Sequence, residues 1–175
     1  MIAGPQGSGK TTQAQILAQK LGLPLIIVGD MLRELAKEES KWGRMAKVIE
    51  HGALADDHLV VDLVKEKIDS PAYQKGFITD GYPRTLAQYQ LYDPKFNKVF
   101  YLDVPEHEVI KRMLLRGRED DTPEKIEKRL AWYRTDTQPL LDLFRSRGTL
   151  VVINGGQPPE KVTEEILSYM PGQNE

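Results

Sequence analysis

The sequence contains no cysteine, and this absence excludes disulfide bonds and cysteine-ligated zinc sites. It also contains no apolar run that approaches the roughly 20 residues of a membrane-spanning helix. Positive charge is not in excess, since 24 lysines and arginines stand against 26 aspartates and glutamates and the net charge is −2. Proteins that bind nucleic acid usually carry a basic excess. We therefore expect neither a nucleic acid nor a membrane as a partner.

The composition is that of a globular protein, because hydrophobic residues make up 40% and charged residues 29% of the 175 positions. No repeat or low-complexity linker divides the chain, so we interpret residues 1–175 as a single domain. A glycine-rich motif begins at Gly4 and leaves no room before it for a secretory signal. We expect a cytoplasmic monomer.

Short apolar runs alternate with helical patterns along the chain. The runs are apolar at nearly every position, as in strands buried on both faces, and they lie at residues 25–28, 77–79, 99–102 and 150–153, with a stub at 1–3. Between them, apolar residues recur three and four positions apart, and Thr122 before Pro123 has the form of a helix N-terminus. Strands that alternate with helices predict an α/β fold with a parallel sheet and helices on both faces.

Residues 4–11, Gly-Pro-Gln-Gly-Ser-Gly-Lys-Thr, match the phosphate-binding pattern G-x-x-x-x-G-K-[ST] in full. Glycine allows main-chain N–H groups to turn toward a phosphate, and the helix that follows adds its positive N-terminal end. Lys10 can reach the β- and γ-phosphate oxygens, and Thr11 can bind Mg²⁺ or a phosphate. The motif predicts nucleotide binding, but it does not separate an ATPase, a GTPase, a kinase and a nucleotide-gated binding protein.

A second polar group follows the apolar run at 77–79. Asp80 at the end of a strand can hold Mg²⁺ through water. Arg84 and Gln88 are one helical turn apart and can share a face, so that a guanidinium and an amide lie side by side. Such a pair can bind a phosphate and read the edge of a purine. Arg33 follows another strand and is a candidate for binding a phosphate. A solvated residue on a helix surface is an equally good interpretation of Arg33.

A third group consists of arginines. Arg112 and Arg116 lie four residues apart on one helix, Arg118 follows in a loop, and Arg129 lies on the next helix. Charged residues at this spacing usually form a solvated surface, which is the alternative to a role in binding phosphates.

In order along the chain, GPQGSGKTTQ at 4–13, GDMLR at 29–33 and DGYPRT at 80–85 with Gln88 resemble the signatures of the adenylate kinase family. The resemblance covers nearly the whole chain and implies a P-loop NTPase fold, a three-layer sandwich around a five-stranded parallel sheet in the order 2-3-1-4-5. It implies a monophosphate-binding arm at about 28–57 and a lid at about 116–121, which is too short for the zinc site of long-lid relatives. The reaction would be direct in-line transfer of the γ-phosphoryl group from ATP·Mg to AMP.

The resemblance also implies roles for individual residues. ATP would be bound by Gly7, Ser8, Gly9, Lys10, Thr11, Thr12, Arg112, Arg116 and Gln157. AMP would be bound by Val28, Arg33, Ala53, Leu54, Ala55, Gly81, Tyr82, Pro83, Arg84, Gln88, Arg118 and Arg129. The catalytic groups would be Lys10, Asp80, Arg84, Arg116, Arg118 and Arg129. Thr11 and Asp80 would hold Mg²⁺, partly through water.

One position departs from the family pattern. Members usually have serine or threonine before the GDMLR segment, whereas this chain has Val28. The acceptor preference is therefore open between AMP and the acceptors of a UMP/CMP-type kinase. A catalytically weak protein that senses ATP and AMP is the alternative from another class, although the full set of transfer arginines favours an enzyme.

Overall fold

A parallel sheet forms the centre of the molecule in the computed structural model, which describes residues 1–47, 55–118 and 121–170. Its strand order is β2-β3-β1-β4-β5, and every adjacent pair is parallel. The strands are β1 (Ile2–Ala3), β2 (Leu25–Ile27), β3 (Ile78–Asp80), β4 (Val99–Asp103) and β5 (Leu150–Asn154). The predicted fold class and strand order are confirmed.

Helices occupy the connections between the strands. They are α1 (Lys10–Leu21), α2 (Val28–Leu35), α3 (Lys41–Ala46), α4 (Asp57–Ile68), α5 (Leu86–Leu91), α6 (Glu106–Arg116), α7 (Pro123–Trp132), α8 (Gln138–Ser146) and α9 (Pro159–Ser168). A 3₁₀ turn at Pro71–Tyr73 and a π turn at Tyr133–Thr137 complete the described helical segments. Thr122 caps α7 as predicted, because its Oγ1 accepts a hydrogen bond from the main-chain N–H of Lys125 at 3.4 Å. Among the described helices, none combines the length and apolarity needed to cross a membrane.

The sheet is buried between two helical layers because successive strand residues point to opposite faces. Phe100 and Leu102 of β4 pack in one apolar cluster with Leu17 of α1 and Ile166 of α9. Val99, on the other face, packs with α8. Each of these side chains is at most 2% exposed, and burial of one such side chain contributes about 1.5–3 kcal/mol. The three-layer arrangement explains why the strands are apolar at nearly every position.

Each strand differs from its predicted run by one residue at one or both ends; β1 begins one residue later, and β4 and β5 end one residue later. β2 ends at Ile27, and Val28 begins α2 instead of ending the strand, so that part of the prediction is wrong. The reason is that Val28 is only 3% exposed, and an apolar residue at a buried helix start has the same pattern as a strand end. β3 is shifted by one residue and includes Asp80, which pairs in register with Ile2 and Ile27.

The parallel sheet brings the polar segments to one edge. β1 leads directly into the phosphate loop, and its neighbour β3 ends at Asp80. In open α/β sheets, ligands bind outside the carboxyl ends of the strands. The fold therefore places the phosphate loop and Asp80 side by side at the edge where a ligand is expected.

Candidate active site

The phosphate loop depends on glycine for its shape. Gly4, Gly7 and Gly9 have φ angles of 148°, 86° and 90°, which side chains rarely adopt. A Cβ at Gly4 would lie 2.7 Å from Ser8 Oγ, and a Cβ at Gly7 would lie 2.9 Å from the carbonyl oxygen of Val109. The N-terminus of α1 has no side-chain cap and no acidic residue in its first turn, so its N–H groups suit an anionic ligand.

Lys10 is held among like charges at the start of α1. Its Nζ donates a hydrogen bond to the carbonyl oxygen of Pro5 at 3.2 Å. Burial lowers the pKa of Lys10 to about 8; the carboxylate of Asp80 opposes this shift, whereas Arg84 and Arg116 add to it. An anion bound between these cations would relieve their repulsion.

Thr11 and Asp80 offer a place for a cation. The hydroxyl of Thr11 donates a hydrogen bond to Asp80 Oδ2. The other carboxylate oxygen, Asp80 Oδ1, is buried and has no hydrogen-bond partner within the described residues, while Asp80 as a whole is 4% exposed. A buried carboxylate oxygen without a donor is unfavourable unless a cation satisfies it. Mg²⁺ prefers oxygen ligands and is usually held by one or two protein oxygens, so these residues fit it.

The turn between β3 and α5 positions the acceptor residues. Gly81 has a φ of 86°, and the guanidinium of Arg84 lies so close to it that a Cβ at Gly81 would be 3.0 Å from Arg84 Nη2. Burial lowers the pKa of Arg84, the Asp80 carboxylate raises it, and neighbouring arginines lower it further. The main-chain N–H of Arg84 donates to Gln88 Oε1 at 2.7 Å, and Thr85 caps α5 by accepting from the N–H of Gln88 at 3.0 Å. Arg84 precedes α5, so the predicted shared helix face is wrong, but its main chain contacts the Gln88 amide and both residues line the same cleft.

Tyr82 lies in the same turn but has no exposed surface. Its hydroxyl donates to the carbonyl oxygens of Tyr92 at 2.8 Å and Gln88 at 3.2 Å. Within the described structure its side chain supports the turn from behind, and contact with AMP by this residue stays a prediction.

Apolar residues of α2 and α4 pack together beside the acceptor turn. Val28, Leu32 and Ala36 of the α2 segment form one apolar cluster with Ala55 and with Val60 of α4. Arg33 lies on the exposed side of α2, where it pairs with Asp30. The predicted AMP residues Ala53 and Leu54 lie outside the described residues.

The lid arginines converge on Asp121. Its carboxylate accepts from Arg116 Nε at 2.8 Å, from Arg116 Nη2 at 2.7 Å and from Arg129 Nη1 at 3.1 Å. It also accepts from the main-chain N–H of Arg118 at 3.3 Å. Burial alone would raise the pKa of Asp121, but the hydrogen bonds and charges of these arginines lower it below its usual value. Asp121 therefore brings Arg116 and Arg129 together, although the sequence prediction gave it no role of its own.

The three groups of residues surround one cleft of about 980 Å³. The predicted site residues that line it are Lys10, Thr11, Val28, Arg33, Ala55, Asp80, Gly81, Pro83, Arg84, Gln88, Arg116, Arg118 and Arg129. Gly7, Ser8, Gly9 and Thr12 lie in the loop and helix start beside it. The lining also contains aromatic residues that the sequence prediction missed, Trp132 at the end of α7 and Tyr133 in the π turn. A π turn in a long helix is frequently a mark of a functional site, but it has no clear sequence signal.

Arg112 and Gln157 lie together outside the lining of this cleft. Arg112 donates through Nε to Glu108 at 2.9 Å and through Nη1 to the carbonyl oxygen of Gly155 at 3.3 Å. Gln157 Nε2 donates to Glu165. The side chain of Arg112 therefore contacts the loop that precedes α9 and contains Gln157. This proximity is consistent with the prediction that both residues bind the same end of ATP.

Comparisons with a family model and with individual relatives all point to the same family. The adenylate kinase family model matches residues 2–149. Adenylate kinase 1 of Nostoc sp. is 43% identical over 178 residues, which covers 97% of each chain. The adenylate kinase of Cyanothece sp. is 39% identical and covers 95% of this chain and 91% of its own. That of Brucella ovis is 41% identical and covers 95% of both. The chain belongs to the adenylate kinase family, and it is a nucleoside monophosphate kinase.

Proposed function

We propose that this enzyme transfers the γ-phosphoryl group of ATP·Mg directly to AMP and releases ADP from both nucleotides. The observation that carries the proposal is the cleft itself, which is lined by the phosphate-loop lysine, by Asp80 and by arginines from the acceptor turn and the lid. ATP and the phosphate of AMP would meet in the space between these groups.

The cations supply the main catalytic effect. Lys10 and Arg84 both have their pKa lowered by burial, and each interacts with further arginines. Such a cluster is unfavourable without an anion and becomes favourable around a transferring phosphoryl group. Cations fixed in advance where negative charge develops stabilise the transition state without later rearrangement.

The protein does not have to provide a nucleophile, because the attacking oxygen belongs to the acceptor phosphate. Arg84 would bind that phosphate, with Arg33 at the rim of the cleft. Mg²⁺ at Thr11 and Asp80 would neutralise the charge on the ATP phosphate oxygens. The apolar wall of Val28, Leu32 and Val60 would receive the acceptor base.

We further propose that the segments at about 28–57 and 116–121 close over the bound nucleotides. Transfer to AMP competes with transfer to water, so the reaction needs a site from which water is excluded. Arg116 and Arg129 of the lid side contact Asp121, and the arm carries Val28 and Leu32 of the acceptor-base wall. Closure would bring these two parts toward each other across the cleft.

The proposal is tested by measuring ADP formation from ATP and Mg²⁺ with AMP, CMP, UMP or GMP as the acceptor. AMP should give the highest kcat/KM. A higher value with UMP or CMP would favour the pyrimidine kinase instead. Binding of both ATP and AMP without ADP formation would indicate a sensor.

A further inference from the structure

The side chain of Gln13 joins the helix that follows the phosphate loop to the start of α9. Gln13 is 3% exposed, and its main-chain N–H donates to the carbonyl oxygen of Gly9 in the phosphate loop at 3.0 Å. Its Nε2 donates to the carbonyl oxygen of Pro159, the first residue of α9, at 2.9 Å. Its Oε1 accepts from the hydroxyl of Thr163 at 2.7 Å. One buried residue therefore contacts both the phosphate loop and α9.

The two ends of the Gln13 amide cannot exchange places. A carbonyl oxygen only accepts hydrogen bonds, so the amide atom beside Pro159 must be the NH₂ group. The amide oxygen then lies beside Thr163, whose hydroxyl can donate to it. The same hydroxyl lies 2.9 Å from the carbonyl oxygen of Pro159, so the three residues form one closed set of polar contacts.

These contacts add directional bonds to an apolar helix pair. Ala14 and Leu17 of α1 pack in one cluster with Val162 and Ile166 of α9. Burial of apolar surface is non-directional, so it holds two helices together but restrains their displacement along each other less closely than hydrogen bonds do. The bonds of Gln13 therefore set where α9 begins relative to the phosphate loop.

The loop that precedes α9 is held at its other end as well. The main-chain N–H of Gly155 donates to the carbonyl oxygen of Asp103 at the end of β4 at 2.8 Å. The carbonyl oxygen of Gly155 accepts from Arg112 Nη1 at 3.3 Å. This loop contains Gln157, which the family resemblance predicts to bind ATP. The sheet thus fixes one end of the loop, and Gln13 fixes the other.

We propose that Gln13 is a positioning residue for ATP, because it sets the distance between the phosphate loop and the loop that precedes α9. The first loop would bind the triphosphate and the second would contact the base. A ligand that spans two subsites gains affinity from both only if their separation matches its own length. Gln13 does not occur among the described residues that line the cleft, so it acts through the two loops. This inference rests on the proposed function.

The variant Gln13→Leu removes both bonds to α9 at nearly constant volume. It leaves the Thr163 hydroxyl with the carbonyl oxygen of Pro159 as a partner, so the change creates little unsatisfied polarity. A ligand that occupies both subsites should bind less well to this variant, whereas a ligand that occupies the phosphate loop alone should not. Inorganic tripolyphosphate serves as the second ligand, because it has three linked phosphates like ATP but no base.

The test measures the KM for ATP, the Ki of tripolyphosphate as a competitor of ATP, and the KM for AMP, all with Mg²⁺. In Gln13→Leu the KM for ATP should rise by about tenfold, since misplacement by about 1 Å has effects of that order or larger. The Ki of tripolyphosphate and the KM for AMP should change by less than about twofold, as expected for independent sites. Equal rises in the KM for ATP and in the Ki would overturn the proposal, because Gln13 would then act on the phosphate loop alone. No change in either constant would also overturn it.

Further variants serve as controls. Gln19→Leu makes the same change at an exposed position of α1 and should leave the ratio of KM for ATP to Ki of tripolyphosphate unchanged. Thr163→Val removes the hydroxyl that donates to Gln13 and should raise this ratio, whereas Thr163→Ser keeps the hydroxyl and should not. KM and Ki do not depend on the amount of active enzyme, so partial unfolding does not alter them. If Gln13→Leu does not fold, the two Thr163 variants decide, and equal ratios in both would contradict the proposal.

The two levels of the account fail in different ways. If the unchanged protein forms no ADP from ATP and any monophosphate, the proposed function is wrong. If it forms ADP and the variants leave the ratio of KM to Ki unchanged, the enzyme activity stands and only the role of Gln13 is wrong.

Discussion

Asp121 accepts two hydrogen bonds from the guanidinium of Arg116, at 2.8 and 2.7 Å. Arg116 ends α6, and Asp121 lies just before α7, so this pair links the two helix ends. The same carboxylate accepts from Arg129 at 3.1 Å, and the Asp121 side chain is only 1% exposed. One buried carboxylate therefore contacts two arginines that line the cleft.

The first prediction concerns this carboxylate. Asp121→Asn keeps the size of the side chain but removes its charge. The NH₂ group of the asparagine would face N–H donors of Arg116 or Arg129 and could not accept their hydrogen bonds. We expect kcat to fall by about tenfold to a hundredfold, since displacement of a catalytic group by about 1 Å has effects of that size. The control is Asp142→Asn, which breaks the exposed ion pair of Asp142 with Arg145 on α8 and should leave kcat unchanged.

A double variant separates positioning from general stability. Because Asp121 also contacts Arg129, the loss caused by Asp121→Asn should be smaller, but not absent, in an Arg116→Ala background. Losses that multiply in the double variant would show that Asp121 acts independently of Arg116.

The second prediction concerns the charge of Lys10. Burial lowers the pKa of Lys10 to about 8, so the ligand-free protein loses this cation as the pH rises through about 8. The value of kcat/KM for ATP reports the free enzyme and should fall above that pH. The fall in kcat should come at higher pH, because bound phosphates favour the charged ammonium.

Two variants check the assignment. Lys10→Ala should lose most of the turnover at every pH. Lys10→Arg should remove the alkaline fall in kcat/KM, since arginine keeps its charge throughout this range. A pH profile that is the same in Lys10→Arg and in the unchanged protein would assign the fall to another group.

The third prediction concerns metal. Turnover should require Mg²⁺ and stop in EDTA, and Asp80→Asn should raise the Mg²⁺ concentration for half-maximal turnover by about tenfold, because one ligand charge is lost. Asp62→Asn, at an exposed position of α4, serves as the control. The purified protein should contain no structural zinc, and stoichiometric zinc by elemental analysis would show that the interpretation of the lid is wrong.

The fourth prediction concerns Val28, which lines the cleft at the start of α2. Val28→Thr adds a hydroxyl at nearly constant volume. A neutral hydrogen bond contributes roughly 0.5–1.5 kcal/mol, so the ratio of kcat/KM for AMP to that for CMP should rise by about tenfold at most. Val152→Thr, the same change at a half-exposed position of β5, should not alter the ratio. A level or falling ratio in Val28→Thr would mean that the missing hydroxyl does not set acceptor choice.

Much of the site could be predicted because its chemistry depends on short segments. The phosphate loop requires glycine at Gly4 and Gly7 because their φ angles of 148° and 86° are ones that side chains rarely adopt, which is a property of the local chain. Asp80, Arg84 and Gln88 follow one strand and share one turn, so sequence spacing alone brings them together. The sheet order came from the family resemblance, since alternating strands and helices predict parallel strands but not their order.

The remainder depends on contacts between distant segments. Asp121 is important because arginines from α6 and α7 both donate hydrogen bonds to it. The residues next to it in sequence indicate only an acidic loop, so its role could not be predicted. Trp132 lines the cleft because α7 passes into a π turn there, which no pattern of apolar residues indicates. The start of α2 at Val28 was missed because burial selects apolar residues for strands and helix starts alike.

The most direct test of the central claim uses ADP as the only nucleotide. An enzyme that transfers a phosphoryl group between ATP and AMP must also convert ADP into equal amounts of ATP and AMP. With ADP and Mg²⁺, ³¹P NMR should show ATP and AMP appearing together at equal rates, without inorganic phosphate. ADP that stays unchanged, or that releases inorganic phosphate instead, would contradict the account.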